Sequence, residues 1–346
     1  MSRLSWGAGF AAILVVGPGA TGFARALAAE VRVAPGWRVE VVATRLPRPA
    51  QLAFRSSGRL VVLSHGWRGD AAAEIFELDV DGPLPIDAAA TPRVVVPFAE
   101  EPRKAVFGSL VVSPRSEDLL LGEENGNRIY RLTRDERLTA LAVGMHHLVG
   151  GSSMTFDRAG RLVVLDFASP ETRLRSEKAP PRSLDWLSAE GYQGPLVFRI
   201  DPAEPRPLPR RIDLLAPVFP RGWSRAAGKE PRSRFISVAA LPTGEVMLLD
   251  SLGEMYQMTP DGVLQGFARL PAGHYHRTHM TVAPDGSVIV SSGFHIRHLL
   301  RVSPGGALTT VAWDLGDPEG IAVDRTGSIY VAEAALHRII RIRPVL

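Results

Sequence analysis

Six stretches of the chain share one arrangement of apolar and polar positions: a short alternating segment, a turn of the Asp-x-x-Gly kind, then an apolar run. They are AQLAFRSSGRLVVLS from Ala50, GSLVVSPRSEDLLLGE from Gly108, SSMTFDRAGRLVVLD from Ser152, ISVAALPTGEVMLLD from Ile236, THMTVAPDGSVIVSS from Thr278 and EGIAVDRTGSIYVAE from Glu319. Each reads as a β-hairpin, because a Gly-containing turn supplies the positive φ needed between two runs of β-formers. A third apolar run follows every hairpin, at 75–78, 129–132, 196–200, 255–258, 299–302 and 339–342. A fourth follows five of them, at 94–98, 138–143, 212–216, 263–270 and 308–313.

The sixth copy shows no fourth run before Leu346, whereas a surplus strand, WRVEVVA at 37–43, precedes the first copy. Radial repetition of four-stranded sheets closes a ring only if no edge is left open. The pattern therefore predicts an all-β, six-bladed β-propeller of four-stranded blades, with the last blade closed by the N-terminal strand. An open all-β solenoid is the alternative arrangement. Side-chain phase on the innermost strands separates two faces. Leu52/Phe54, Leu110/Val112, Met154/Phe156, Val238/Ala240, Met280/Val282 and Ile321/Val323 form one, expected between blades. Ala53, Val111, Thr155, Ala239, Thr281 and Ala322 form the other, expected to crowd the axis. One step earlier come Gln51, Ser109, Ser153, Ser237, His279 and Gly320, which predicts a polar channel mouth.

Composition narrows the class. The chain has 346 residues, 45% hydrophobic, with 33 Gly and 28 Pro, which suits many short strands. Net charge is only +4, and Lys occurs only at 104, 178 and 229. No basic stripe interleaves with aromatics, so no nucleic-acid partner is expected. Residues 1–28 read as a secretory signal: Arg3, an apolar run at 4–16, and Ala26-Leu27-Ala28 as a small-x-small cleavage site. Residues 29–346 are then one propeller domain, periplasmic or secreted and monomeric, with no transmembrane segment. The absence of Cys excludes a lipobox anchor, disulfides and thiolate metal sites.

All nine histidines fall in or beside loops that lead into an inner strand or follow a second strand, which a propeller places on one face. His274-x-His276-x-x-His279 has a spacing that could put two imidazoles on one metal. Glu123, Asp166, Asp250 and Glu333 end second strands, with Ser64 and Ser292 in phase, and their repetition points to structural hydrogen-bond acceptors. Glu319 immediately precedes an inner strand and His279 starts the neighbouring one; they suit a hard cation and a general base respectively. Arg221, Arg225, Arg232 and Arg234 surround Trp223, an arrangement able to clamp an anionic ligand.

Pro318-Glu319-Gly320-Ile321-Ala322-Val323-Asp324, with Gly327 and Tyr330-Val331-Ala332-Glu333, resembles the six-bladed NHL-like propellers. That superfamily includes gluconolactonase and senescence-marker-type lactonases, strictosidine-synthase-like proteins and soluble quinoprotein sugar dehydrogenases. The lactonase resemblance implies that Glu319 binds a divalent cation, Ca²⁺ first. Where those enzymes carry Asn and Asp, this chain has Gln51, Ser109, Ser153 and Ser237. The sequence Pro35-Gly36-Trp37-Arg38-Val39-Glu40-Val41-Val42-Ala43, followed by Pro49-Ala50-Gln51-Leu52-Ala53-Phe54, resembles the opening of the sugar dehydrogenases. That likeness implies pyrroloquinoline quinone as cofactor and His147 as the base that takes the sugar hydroxyl proton.

The expectation is an exported small-molecule enzyme with its site at the channel mouth, its ligand sugar-derived. His279 and Glu319 would be its catalytic and metal groups, and Gln51, Ser109, Ser153, Ser237, Trp223 and Arg221 its binding residues. Metal-dependent lactone or ester hydrolysis leads, quinone-dependent sugar oxidation is second, and a non-catalytic binding propeller is third.

Overall fold

Local chemistry at the turns explains the repeat. Asp157 folds its carboxylate back onto the backbone N–H groups of Ala159 (3.0 Å) and Arg161 (2.9 Å), and Gly160 takes φ +75°. Asp324 does the same for Thr326 (2.8 Å) and Ser328 (3.0 Å), with Gly327 at φ +84°. An Asp that caps its own turn and a Gly that supplies the left-handed residue fix the hairpin register. The computed structural model describes residues 31–65, 72–97, 106–124, 128–145, 152–166, 196–212, 215, 217–218, 220 and 235–345.

Six antiparallel sheets result. Blade 1 comprises Pro49–Phe54, Leu60–Ser64, Glu74–Leu78 and Arg93–Val95; blade 2 comprises Phe107–Val112, Leu119–Glu123, Arg128–Leu132 and Leu138–Val143. Met154–Phe156, Leu162–Asp166, Leu196–Ile200 and Pro217–Val218 form blade 3. Blade 4 is Phe235–Ala240, Val246–Asp250, Glu254–Met258 and Leu264–Arg269. Blade 5 is Met280–Val282, Val288–Ser291, Leu299–Val302 and Leu308–Trp313. In blade 6, Pro318–Val323, Ile329–Glu333 and Arg338–Pro344 are completed by Trp37–Thr44, which pairs antiparallel along Arg338–Pro344 from Trp37↔Pro344 to Ala43↔Ile339. The predicted closure is thus realised.

Three short pairings were not predicted. Arg32–Val33 adds to the outer strand of blade 5, so the N-terminal segment straps two blades. Ile86–Asp87 pairs parallel with Trp37–Thr44, and Arg210–Arg211 pairs parallel with the outer strand of blade 2. The fourth strand of blade 3, expected at 212–216, is instead Pro217–Val218. Ile212 and Leu215 are buried, but as a loop that fills the junction between blades 2 and 3. The Arg210 guanidinium ties the preceding segment to the carbonyls of Asp201 and Glu204.

An apolar cluster fills each of the six junctions between neighbouring blades. Here the expected division of the inner-strand faces needs correcting. Ala53, Val111, Ala239 and Ala322 do not simply crowd the axis; each packs against the bulky face of the next blade. Sheets radiate from the axis, so both of their faces are junction faces, and small residues are needed on one where the wedge narrows. Both sets also line an axial cavity of about 300 Å³.

Two blades approach closely at the closure. A Cβ on Gly320 would lie 2.5 Å from the Ala50 carbonyl oxygen and 2.6 Å from Gln51 Cα. Those are backbone atoms that cannot rotate aside. We therefore expect Gly320→Ala to lower stability by roughly 2–4 kcal/mol, read from the urea midpoint; an unchanged midpoint would show that blades 1 and 6 can separate freely.

Candidate functional site

Inner strands begin, and second strands end, at the upper rim of the ring. In blades 1, 2, 4 and 6 the pairing of these two strands shifts register there. In blade 6 Pro318 opposes Glu333 and Ile321 opposes Val331, so Glu319 and Gly320 bulge out against Ala332. Bulges re-aim side chains, and this one sets Glu319 at the rim with only 4% of its surface exposed.

Burial without full compensation defines the electrostatics. Desolvation pushes the Glu319 carboxyl up to about 7, aided by Asp317 and opposed by Arg277 and Arg48. The contact with Arg277 is loose, Nη1 to Oε1 at 3.5 Å. Burial likewise raises Asp317, against the fields of Arg48, Arg277 and Arg297, and raises Glu124 against Arg277. Burial pushes the His65 imidazole down, and its Nε2–H donates to the Phe107 carbonyl at 2.7 Å. Arg48, Arg277 and Asp317 all have left-handed backbone, φ +54°, +52° and +58°, just ahead of the inner strands of blades 1, 5 and 6. Non-glycine residues adopt that region rarely. Four buried oxygens near the rim, Gln51 Oε1, Glu124 Oε1, Ser237 Oγ and Thr278 Oγ1, have no hydrogen-bond partner among the described residues. Buried polar atoms normally have one, so this rim is built to meet water or a polar ligand.

The sequence-derived candidates separate into groups. Ser109 and Ser153 meet each other across blades 2 and 3, Oγ to Oγ 2.5 Å. Glu319 and His279 are stitched together through Ser291, whose hydroxyl donates to the Glu319 carbonyl (2.6 Å) and accepts from the His279 N–H (3.0 Å). Their side chains part, however. His279 Nδ1 accepts the Ile321 N–H at 2.9 Å, which leaves the proton on Nε2, and the ring lines the axial cavity with Ser152, Thr155 and Thr281. Burial brings its pKa down to about 4, so it is neutral at pH 7. Ser152 bridges the carbonyls of Val238 (2.9 Å) and Met280 (3.0 Å) at the same level. His147, Arg221 and Trp223 lie outside the described residues, as do His146, Arg225, Arg232, Arg234 and the leader at 1–28.

His279 also parts from His274 and His276, which are exposed and lie beside His295 instead, with ring centroids 6.3 Å and 5.7 Å from that of His274. The repeated carboxylates serve their loops: Asp250 accepts from Leu252 and Glu254 N–H (2.9 and 2.8 Å), and Glu333 accepts from Gly316 N–H (2.7 Å) and pairs with Arg338. Ser64 and Ser292 hold the Pro47 and His298 carbonyls. Sequence reasoning missed Arg277, Arg48 and Asp317. The available signal was their position ahead of the inner strands, in Arg48-Pro49 and Asp317-Pro318.

The divalent cation implied by the resemblance does not fit the donor set. Among the described residues no three His, Asp or Glu side chains are placed to hold one ion. Glu319 already faces a guanidinium.

No protein-family model matches the chain, and no curated protein does. Solved structures do. The calcium structure of the Trichoderma reesei carbohydrate-active enzyme of family AA12 is similar at TM-score 0.60 and 12% identity, covering 91% of this chain and 97% of that one. A Xanthomonas campestris gluconolactonase is similar at TM-score 0.58 and 15% identity, over 92% and 93%. Virginiamycin B lyase from Staphylococcus aureus is similar at TM-score 0.52 and 10% identity, over 89% and 100%. At these identities the likeness shows the fold: this chain shares the six-bladed propeller of the gluconolactonases and the lyase.

His279 generates a pH prediction. Its folded pKa, about 4, lies below the ordinary 6.5, so the unfolded chain takes up the proton first. Stability is complete above about pH 6.5 and falls towards pH 4, by about 3 kcal/mol in full. His279→Leu, which strands the Ile321 N–H, should cost about 1–3 kcal/mol at pH 7 and flatten that fall in denaturant titrations. An unchanged slope would assign the fall to another group.

Proposed function

We propose that the chain is an exported small-molecule enzyme that hydrolyses a lactone or comparable ester, with a sugar-derived acid as product, at the upper mouth of the propeller. The observation that carries this reading is Glu319, a buried carboxyl with a pKa near 7 beside the permanently charged Arg277. A group that titrates near the working pH can both take and return a proton. As carboxylate, Glu319 takes a proton from water, whose oxygen attacks the ester carbonyl. Arg277 stabilises the oxyanion that forms. Collapse breaks the bond to the ring oxygen, and the Glu319 acid returns its proton to that oxygen, leaving a hydroxy acid. The unpartnered oxygens of Gln51 and Ser237 offer hydrogen bonds to the substrate hydroxyls.

A gluconolactonase among the structures of like fold supports the choice of a lactone. No step runs through a metal ion. Sugar oxidation with pyrroloquinoline quinone is the second reading, favoured by the opening sequence from Pro35 to Phe54.

A panel of γ- and δ-lactones, including aldonolactones, followed by acid release tests the proposal. We expect kcat/KM to rise through pH about 7 and Glu319→Gln to lower kcat by about 100-fold or more, with an unchanged circular dichroism spectrum. Dye reduction that requires pyrroloquinoline quinone and a sugar, without acid release, would replace hydrolysis by oxidation. No turnover in either assay would leave a binding propeller.

A further inference from the structure

We infer that the Arg277 guanidinium is the resident cation of the upper mouth, standing where a divalent ion would otherwise bind, so that the site works without metal. The inference rests on Glu319 being the carboxylate of the proposed site.

Three observations lead to it. First, the field of Arg277 reaches every acid that burial raises at this rim, namely Glu319, Asp317 and Glu124. Arg48 acts on Glu319 and Asp317, and Arg297 on Asp317, but neither acts on all three. Second, the side chain of Arg277 is 34% exposed and that of Glu319 only 5%, with 3.5 Å between Nη1 and Oε1. The guanidinium therefore meets solvent while the carboxylate behind it does not. Third, the loop that carries Arg277 is fixed on both sides. Tyr275 is fully buried, and its hydroxyl donates to the Pro271 carbonyl at 2.8 Å. The His276 carbonyl presses on Gly293 so closely that a Cβ there would lie 2.2 Å away, and Thr278 is fully buried.

A divalent ion at the same carboxylate would face this cation at a few ångströms, and their repulsion is strong where water is sparse. Arginine stays charged and presents a planar fork of donors to a carboxylate or oxyanion. Removing it leaves the buried Glu319 carboxylate, already within the field of Asp317, without the cation it pairs with, and a hard cation accepts such carboxylate oxygens. The groups facing Arg277 include His65 and His276, both pushed down chiefly by burial and further by its charge.

The test reads metal content and the thermal midpoint in calcium chloride, in EDTA, and in sodium chloride of equal ionic strength. Wild-type protein should carry no stoichiometric divalent ion, and its midpoint should agree in all three. Arg277→Gln and Arg277→Ala should each gain a calcium-specific rise of about 3 °C or more. Arg277→Gln combined with Glu319→Gln should lose that rise, and Arg277→Lys should not show it. One bound divalent ion per wild-type chain, or a calcium response in wild type, would overturn the inference. So would a folded Arg277→Gln that ignores calcium. Hydrolysis fails by a different readout, the absence of acid release, so the two ideas stand or fall separately.

Discussion

Ring closure is the constraint on which the rest depends. Five blades draw their four main strands from a continuous stretch of chain, but blade 6 must borrow Trp37–Thr44 from the other end. The borrowed strand serves both junctions of its blade. Trp37, Val39 and Val41 join the apolar cluster shared with blade 5, while Val42 and Ala43 join that shared with blade 1. Val42, fully buried, contributes roughly 1.5–3 kcal/mol, and the half-buried Trp37, Val39 and Val41 add to it; the ion pairs of Glu40 with Arg341 (2.8 Å) and Arg343 (2.9 Å) add little at a partly exposed edge. The chain then runs straight on through Arg48 into blade 1. Closing the ring therefore also delivers Arg48 and Gln51 to the rim beside Glu319, and Gly320 lets the two strands touch.

That geometry creates an acid the protein does not fully neutralise. Glu319 bulges from its strand within the field of Asp317, and the cation it pairs with, Arg277, stands 3.5 Å away. A closer ion pair would hold the carboxyl ionised at all working pH values and spend it as a structural charge. Left loose, it keeps a pKa near neutrality. His279, one blade away, is perturbed in the opposite sense. Burial and the Ile321 N–H fix it as a neutral ring with Nδ1 already occupied, so it serves the backbone of blade 6 better than it could serve a substrate.

The fold was legible because its signals are local. An Asp that caps its own turn, a Gly at positive φ and a period of two each act within a few residues, and six copies reinforced one another. The error in blade 3 has the same origin. Ile212 and Leu215 look like a strand because they are apolar, yet they are buried as loop residues, a distinction that only the neighbouring blade decides. The site was half legible. Glu319 and Gln51 stand at repeat positions and could be found by alignment of the copies. Arg277, Arg48 and Asp317 owe their roles to left-handed backbone ahead of the strands, and non-glycine residues give no sequence sign of that conformation. Their convergence also depends on blades 1, 5 and 6 becoming neighbours, which no local pattern encodes.

The separation between mouth and axis bears on why one architecture can host unlike chemistries. Ser152 and His279 lie across the upper end of the axial cavity, and their hydrogen bonds bind blades 3, 4, 5 and 6 to one another. The axis below is lined by the inner strands that hold the ring together, so changes there disturb every junction at once. The rim above is different. Its residues sit in bulges and lead-in loops, outside the regular ladder, and a cation or an acid can change there without moving a strand. A shared fold at 10–15% identity therefore says little about which ion or reaction the rim carries. In this chain the charges acting on the buried Glu319 carboxyl, those of Arg277, Asp317 and Arg48, all come from such lead-in loops.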